Sequence, residues 1–135
     1  MTNYEWYAQL AKPSWAPPGW LFGPVWTVLY AIILVTFGYV TWLAYKRKIK
    51  PLVLLPFALN LVFNLIFTPI QFGLQSNVLA AVDILLVLGT LGWAMVSVWP
   101  NKKLRWVALA NVPYLLWVCF ATVLQLTVTG MNWGV

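Results

Sequence analysis

The sequence predicts an all-α integral membrane protein, a bundle of four transmembrane helices that forms a single domain over residues 1–135. Three observations support this prediction. The composition is 63% hydrophobic and 7% charged, against roughly 45–50% and 25% in soluble domains, so the chain cannot cover a water-facing surface. Four apolar runs each reach the roughly 20 residues that cross a bilayer. The loops between these runs are short, which makes successive helices antiparallel neighbours.

The predicted elements begin with an extramembrane segment, residues 1–20, which lacks the basic and apolar regions of a signal peptide. Within it, Lys12–Trp20 (KPSWAPPGW) contains three prolines. Each proline fixes φ and biases its predecessor away from helix, so we expect an extended lid over the mouth of the bundle. The spans are predicted at about residues 21–45, 52–72, 78–99 and 106–129. Pro69 and Pro113 lie inside two of these spans and predict kinks there.

The basic residues predict the orientation of the spans. Seven of the eight fall in the first and third loops: Lys46, Arg47, Lys48, Lys50, Lys102, Lys103 and Arg105. The positive-inside rule therefore places these two loops in the cytoplasm and both termini outside. Because the net charge of +6 is concentrated between apolar runs, it indicates a membrane protein, and we expect no nucleic-acid partner.

Polar residues within the spans predict where the bundle interior lies, because such residues are costly in hydrocarbon. Asn60, Asn64, Thr68 and Gln71 share one face of the second span, and Asp83, Thr90 and Ser97 share one face of the third. The fourth span places Asn111, Tyr114, Thr122, Gln125 and Thr129 roughly on one side. The outermost of these residues, together with Trp26 and Tyr30, are expected to converge in the outer half of the bundle beneath the lid.

These polar residues either bond neighbouring helices to one another or face a ligand site, and both interpretations remain open. Asn and Thr stripes often serve only as hydrogen bonds between helices, worth about 0.6 kcal/mol each, and this applies to Asn60 and Thr90. Asp83 is harder to explain in this way, because a lone intramembrane acid costs roughly 2.5–3.5 kcal/mol. We expect it to be protonated, to accept hydrogen bonds from Asn or Trp N–H groups, or to reach Lys12.

The aromatic residues indicate the class of ligand. Most tryptophans lie near the predicted interfaces, as in an aromatic belt, whereas Trp26 and Trp117 lie within spans. A pocket of Trp and Tyr faces with a few polar groups suits a large flat apolar ligand; a tetrapyrrole fits well and a sterol less well. The chain has no His, so haem iron would find poor axial ligands. We therefore expect metal-free porphyrin, with haem as an alternative, and no metal site or required cofactor.

Several motifs resemble those of the translocator protein/tryptophan-rich sensory protein family (TspO/MBR, the peripheral benzodiazepine receptor family). They are WYAQLAKPSWAPPGWLFGPVWTVLY at residues 6–30, N-x-x-F-x-x-x-F-x-x-x-Q-F around Asn60–Phe72, A-x-V-D-I-L-L-V at Ala80–Val87 and PYLLWVCFATVL at Pro113–Leu124. Members of this family usually have five spans, one of them before the first motif. The resemblance therefore implies that a first helix is missing here, through a start-site error, a trimmed chain or a genuine four-span variant.

The resemblance also implies a function. It is that of a receptor-like membrane protein that binds porphyrins, and in some members cholesterol and benzodiazepine-type drugs, with a regulatory or sensory role in porphyrin and stress homeostasis. The alternatives are light-dependent porphyrin degradation, with Trp26 and Trp117 as candidate redox residues, and transport of a porphyrin or sterol. The implied state is a homodimer, and the implied location is the bacterial cell membrane.

Twelve positions form the predicted ligand site: Trp15, Pro17, Trp20, Trp26, Tyr30, Asn64, Thr68, Asp83, Tyr114, Trp117, Phe120 and Gln125. The resemblance assigns Trp26 and Trp117 to the two tryptophans of the family's pocket, and Asn64 and Asp83 to its intramembrane Asn and Asp. Two neighbouring positions depart from the family pattern. Gln125 stands where the family commonly has Asn, and Leu65 where it usually has Trp, and we expect both changes to alter the polarity and shape of the pocket.

Overall fold

The computed structural model describes the backbone of residues 3–133 and the side chains from Trp6 onward; the chain termini, to which the orientation prediction refers, lie outside the described residues. Within residues 3–133 the chain forms six α-helices: α1 Asn3–Gln9, α2 Phe22–Tyr45, α3 Leu54–Thr68, α4 Asn77–Val98, α5 Arg105–Ala110 and α6 Val112–Met131. Residues 3–133 contain no strand. Four segments are long and apolar enough to cross a bilayer: Gly19–Tyr45, Pro51–Gly73, Asn77–Val98 and Val112–Met131. The predicted all-α membrane bundle with four spans is confirmed.

Local sequence accounts for the helix boundaries. Short 3₁₀ turns, Gly19–Leu21 and Pro51–Val53, lead into α2 and α3. The second of these turns begins with proline, whose fixed φ suits the start of a helix. The α4 helix begins at an N-cap, Ser76, whose hydroxyl accepts a hydrogen bond of 3.2 Å from the backbone N–H of Leu79. These turns and caps keep the connections between spans short.

Pro69 and Pro113, the two prolines at which the sequence predicts kinks, both mark irregular backbone. A π-helical turn, Pro69–Gly73, extends α3, and the backbone N–H of Leu74 donates to the carbonyl of Pro69 at 2.9 Å. The fourth span also divides, because Pro113 has no N–H with which to continue the helix. Asn111 ends α5 and donates its backbone N–H to Val107 and Ala108. Continuous helix therefore begins at Val112, whereas the predicted span starts at residue 106.

The N-terminal segment is more ordered than the predicted loop, because its first part forms α1. The ammonium group of Lys12 donates to the carbonyl oxygens of Tyr7, Ala8 and Leu10 at 2.9–3.2 Å. A cation at this position satisfies the carbonyls at the C-terminal end of α1. Lys12 is thus bonded to its own segment, and the expectation that it reaches Asp83 is not met, since neither Asp83 carboxylate oxygen has a hydrogen-bond partner.

The α4 helix lies at the centre of the bundle and packs against α3 and α6. Its inward face places Val87, Leu91 and Ala94 in the core, each no more than 1% exposed. The α2 helix joins the same core through an edge-to-face contact between Phe37 and Phe57, with ring centroids 4.9 Å apart. Because the helices alternate in direction, the two basic loops lie at one end of the bundle. The lid, the α3–α4 hairpin and the end of α6 lie at the other.

Candidate functional site

A cavity of about 580 Å³ occupies the end of the bundle opposite the basic loops. It lies between the start of α2, the end of α3 with its π turn, the first half of α4 and the second half of α6. Its volume falls in the range of roughly 300–1,000 Å³ that is typical of small-molecule sites. The convergence of polar and aromatic residues that the sequence predicts beneath the lid therefore coincides with a real cavity.

Seven of the twelve predicted ligand-site residues line this cavity: Trp20, Trp26, Tyr30, Asn64, Thr68, Trp117 and Gln125. Two more of the twelve, Tyr114 and Phe120, contact residues of the lining. Tyr114 is hydrogen-bonded to Asn64, and the ring centroid of Phe120 lies 5.4 Å from that of Trp117. Trp15 packs one layer further out against Phe120, at 5.8 Å. Pro17 and Asp83 do not contribute to the lining.

Aromatic rings form the walls of the cavity. On one side the rings of Trp26 and Tyr30 lie 5.4 Å apart, and Trp26 also meets the edge of Tyr114 at 6.3 Å. On the other side Phe22 meets Trp117 edge to face at 5.8 Å. Such contacts hold each ring in one orientation, so the cavity offers preformed aromatic surfaces.

A chain of hydrogen bonds runs from this cavity into the core across four helices. The hydroxyl of Tyr30 donates to Asn64 Oδ1 at 2.7 Å, and Asn64 Nδ2 donates to the hydroxyl of Tyr114 at 2.7 Å. Tyr114 then donates to Asn60 Oδ1 at 2.9 Å. Asn60 Nδ2 completes the chain by donating to the carbonyl of Val87 at 2.9 Å and to Thr90 Oγ1 at 3.2 Å. The interhelical interpretation of Asn60 and Thr90 is therefore confirmed.

A second cluster of hydrogen-bonded side chains lies near the mouth of the cavity, at the ends of the helices. Gln71 Nε2 donates to Asn77 Oδ1 at 3.0 Å, while Gln125 Nε2 and Thr129 Oγ1 donate to the Asn77 carbonyl at 3.2 and 3.1 Å. All four side chains are buried. They tie the π turn, the first turn of α4 and the end of α6 together, and so fix the shape of the cavity near its opening.

The residue that precedes the lid, Ala11, is bonded to the residue that follows α6, Asn132, through the Asn132 side chain. Asn132 Oδ1 accepts from the backbone N–H of Ala11 at 2.9 Å, and Asn132 Nδ2 donates to the Ala11 carbonyl at 2.8 Å. Beneath this pairing, Tyr7 lines the cavity and lies 5.5 Å from Phe72, ring centroid to ring centroid. Burial raises the pKa of the Tyr7 phenol above its ordinary value of 10.0, which keeps it neutral.

Two polar atoms in the wall of the cavity have no hydrogen-bond partner among the described residues: Trp117 Nε1, a donor, and Gln71 Oε1, an acceptor. Both atoms are themselves buried within the wall, so they are exceptions to the rule that buried polar atoms are paired. No Asp, Glu, Lys or Arg belongs to the described lining. The cavity is therefore electrically neutral, with a few directional groups on an aromatic surface.

The described residues contain no cluster of three His, Cys, Asp or Glu side chains that could hold a metal ion. Among the possible soft ligands, Cys119 is exposed and lies outside the cavity. No Met belongs to the described lining either. The described lining offers a haem iron no His, Cys or Met; Tyr7 and Tyr30 are the residues of an axial-ligand type that it contains, and the hydroxyl of Tyr30 already donates to Asn64. These residues therefore fit a haem iron poorly.

Several lining residues are absent from the predicted site: Tyr7, Phe22, Phe67, Gln71, Phe72 and Leu124 are examples. Gln71 could have been found, because it continues the polar stripe of the second span. The apolar residues carry no such signal, since Phe and Leu occupy every face of a membrane helix. The contribution of Tyr7 depends on α1, which the sequence predicts only as part of an extramembrane segment.

Comparison with known proteins gives consistent relatives. Residues 1–131 match the model of the TspO/MBR family. The chain is 37% identical over 131 residues to the tryptophan-rich protein TspO of Chlorobaculum tepidum, covering 93% of this chain and 78% of that protein. It is 39% identical over 128 residues to the TspO of Bacillus cereus, covering 94% and 80%. It is 37% identical over 142 residues to the translocator protein of Homo sapiens, covering 96% and 76%.

Proposed function

Since the chain belongs to the TspO/MBR family, we propose that it is a receptor-like membrane protein whose cavity binds a tetrapyrrole such as protoporphyrin IX. The observation that carries the proposal is the pair of tryptophans, Trp26 and Trp117, in the lining of one neutral cavity. Stacking on indole faces and apolar burial suit a flat macrocycle. The names of several relatives, which include sensory and translocator proteins, agree with a receptor-like role.

Directional contacts in the cavity supplement stacking. Trp117 Nε1 and Gln71 Oε1 are unpaired but buried beside the cavity, so each becomes a donor or an acceptor for the ligand only when its side chain shifts. Because the lining is neutral, the carboxylate groups of the ligand are expected to remain at the mouth, where water solvates them. We place that mouth on the outer side of the membrane, because the positive-inside rule puts the basic loops at the opposite end in the cytoplasm.

The proposal is tested by titrating the purified chain with protoporphyrin IX while following the Soret band and tryptophan quenching. We expect saturable binding in the micromolar range or tighter. Trp117→Ala removes a stacking surface and should weaken binding about five- to 150-fold, which corresponds to the roughly 1–3 kcal/mol that stacking on an aromatic side chain contributes to a bound base. The matched control is Trp93→Ala, because Trp93 is 45% exposed and lies outside the cavity.

The outcomes of this titration separate the hypotheses. Equal weakening by both variants would indicate nonspecific partitioning of porphyrin on the apolar surface and would overturn the proposal. No saturable binding by a chain that unfolds cooperatively would also overturn it. Since Trp117→Ala opens space in the bundle, a thermal unfolding curve of each variant is needed to show that the variant is folded.

A second candidate function is light-dependent oxidation of bound porphyrin by dioxygen. The observation that favours it is that both candidate redox residues, Trp26 and Trp117, line the cavity where the ring would lie. Illumination in air should then bleach bound porphyrin more slowly in the Trp26→Phe/Trp117→Phe variant. Equal bleaching at equal occupancy would exclude a role for the two indoles.

A further inference from the structure

The end of the bundle opposite the cavity is strongly basic. Its two loops carry seven of the chain's eight Lys and Arg residues: Lys46, Arg47, Lys48, Lys50, Lys102, Lys103 and Arg105. The only two acids of the chain are elsewhere, since Glu5 belongs to α1 and Asp83 to the second turn of α4. Nothing in these loops therefore neutralises the positive charge, and the charge complement must come from another molecule.

An exposed aromatic cluster, formed by Tyr39, Trp42 and Trp106, lies beside these loops. The ring of Tyr39 stacks on Trp42 at 6.2 Å with an interplanar angle of 27°, and lies 5.3 Å from Trp106. The cluster joins the last turns of α2 to the first turn of α5. Its members are 37%, 47% and 42% exposed. They present a continuous aromatic surface on the outside of the bundle, away from the cavity.

Two cations flank this aromatic cluster in defined positions. The ammonium of Lys48 lies 5.6 Å from the centre of the Trp42 ring. Arg105 directly precedes Trp106, and its guanidinium is held 4.9 Å over Trp99 while Nε donates to the Trp99 carbonyl at 2.8 Å. That hydrogen bond uses one of the five N–H donors of the side chain and leaves four for another acceptor. One cation, Lys48, is thus in contact with the cluster, and a second, Arg105, is held in place next to it in the chain.

We propose that this surface binds an anionic phospholipid. The phosphate of the headgroup lies between the first and third loops, where Lys48 and Arg105 attract it, and an acyl chain lies along Tyr39, Trp42 and Trp106. The chemistry is complementary in both parts, because a phospholipid combines an anionic phosphate with an apolar chain. Basic pockets between transmembrane helices bind such headgroups. An aromatic belt alone would show no preference for headgroup charge.

The test uses the full chain, purified in zwitterionic micelles, and follows thermal unfolding as phosphatidylglycerol or phosphatidylcholine with identical acyl chains is added. We expect stabilisation that saturates with phosphatidylglycerol and is weak with phosphatidylcholine. Replacing Lys48 with Gln should weaken the apparent affinity about fivefold, the factor that one basic residue contributes near an anionic surface. The double variant Lys48→Gln/Arg105→Gln should weaken it at least tenfold.

The matched control is Lys102→Gln/Lys103→Gln, which removes the same charge from the same end of the bundle without touching the aromatic cluster. We expect less than a threefold change. Equal losses in the two double variants would show a diffuse surface potential and overturn the proposal, as would equal stabilisation by the two lipids. A third titration adds inorganic phosphate in place of lipid. If phosphate stabilises the chain against thermal unfolding as well as phosphatidylglycerol does, the acyl chain has no role and the proposal is wrong.

Arg105 also packs on Trp99, so the double variant needs a second measurement. The single variant Lys48→Gln serves this purpose, because the Lys48 side chain is exposed and its removal leaves the core intact. A Trp42→Leu variant, compared with Trp93→Leu on another exposed face, tests the apolar part. Loss of lipid selectivity only at Trp42 supports the site, whereas equal effects at the two positions overturn it.

Discussion

The amide Nδ2 of Asn64 donates a 2.7 Å hydrogen bond to the hydroxyl of Tyr114, which lies fifty residues further along the chain. Tyr114 is fully buried, yet its hydroxyl both accepts this bond and donates to Asn60. Asn64 in turn lines the cavity and accepts from Tyr30. A ligand-facing polar group is therefore linked to the centre of the bundle through phenol and amide groups with complementary donors and acceptors.

Tyr114→Phe should lower the free energy of unfolding by about 1–3 kcal/mol. The substitution keeps the ring but leaves Asn60 Oδ1 and Asn64 Nδ2 without the hydroxyl, and a buried unsatisfied group costs about that much. Denaturant unfolding in micelles measures the change. The control is Tyr45→Phe, because Tyr45 is 80% exposed and its hydroxyl is free to bond solvent. If Tyr114→Phe lowers the free energy of unfolding no more than Tyr45→Phe does, this explanation is contradicted.

Asp83→Val should raise the free energy of unfolding by about 1–3 kcal/mol, since it removes two buried oxygens that have no hydrogen-bond partner. Asp83→Asn keeps the shape and one of the oxygens, so it should fall between the wild type and the Val variant. Chemical unfolding of the three proteins in the same detergent measures the order. Destabilisation by both variants would instead show that Asp83 bonds a group other than the described side chains.

Asn132→Ala should loosen the lid without unfolding the bundle. The side chain makes two exposed hydrogen bonds to Ala11 and a third to the carbonyl of Val128, and the loss of each should cost only about 0.5–1.5 kcal/mol locally. Hydrogen exchange of the Ala11 amide should accelerate, whereas amides in α4 should not change. Asn101→Ala is the control, since Asn101 caps the turn at the opposite end. Unchanged exchange at Ala11 would mean that the lid is held by other contacts.

Lys12→Met should weaken binding of free-acid protoporphyrin IX two- to fivefold, because a ligand carboxylate at the mouth can accept from the Lys12 ammonium in place of one backbone carbonyl, with the strength of a solvent-exposed ion pair. Lys12 is the one basic residue at the cavity end of the chain, and its ammonium lies 4.9 Å over the ring of Tyr7, which lines the cavity. The dimethyl ester of the porphyrin carries no carboxylate, so its affinity should not change. Lys102→Met provides the control. Equal weakening for the acid and the ester would indicate a change in lid structure.

Much of the site is visible in the sequence, and the remainder has a physical reason to be hidden. The polar stripe Asn60, Asn64, Thr68 and Gln71 identifies the inward face of α3, because polar groups avoid hydrocarbon. The same stripe cannot show which members face a cavity and which bond a neighbouring helix. Asn60 and Asn64 are four residues apart, yet only Asn64 lines the cavity.

The sequence by itself determined the all-α membrane fold class, the four spans and the family, because length, hydropathy and local motifs are properties of contiguous residues. It also indicated backbone breaks near Pro69 and Pro113, since a missing N–H acts locally. Only the tertiary structure decided that Tyr114 stands behind Asn64, that Asn132 holds Ala11, and that Asp83 is buried without a partner. Each of these depends on how separate helices are rotated and offset against one another, and uniformly apolar helices encode that arrangement only through the packing of the whole bundle.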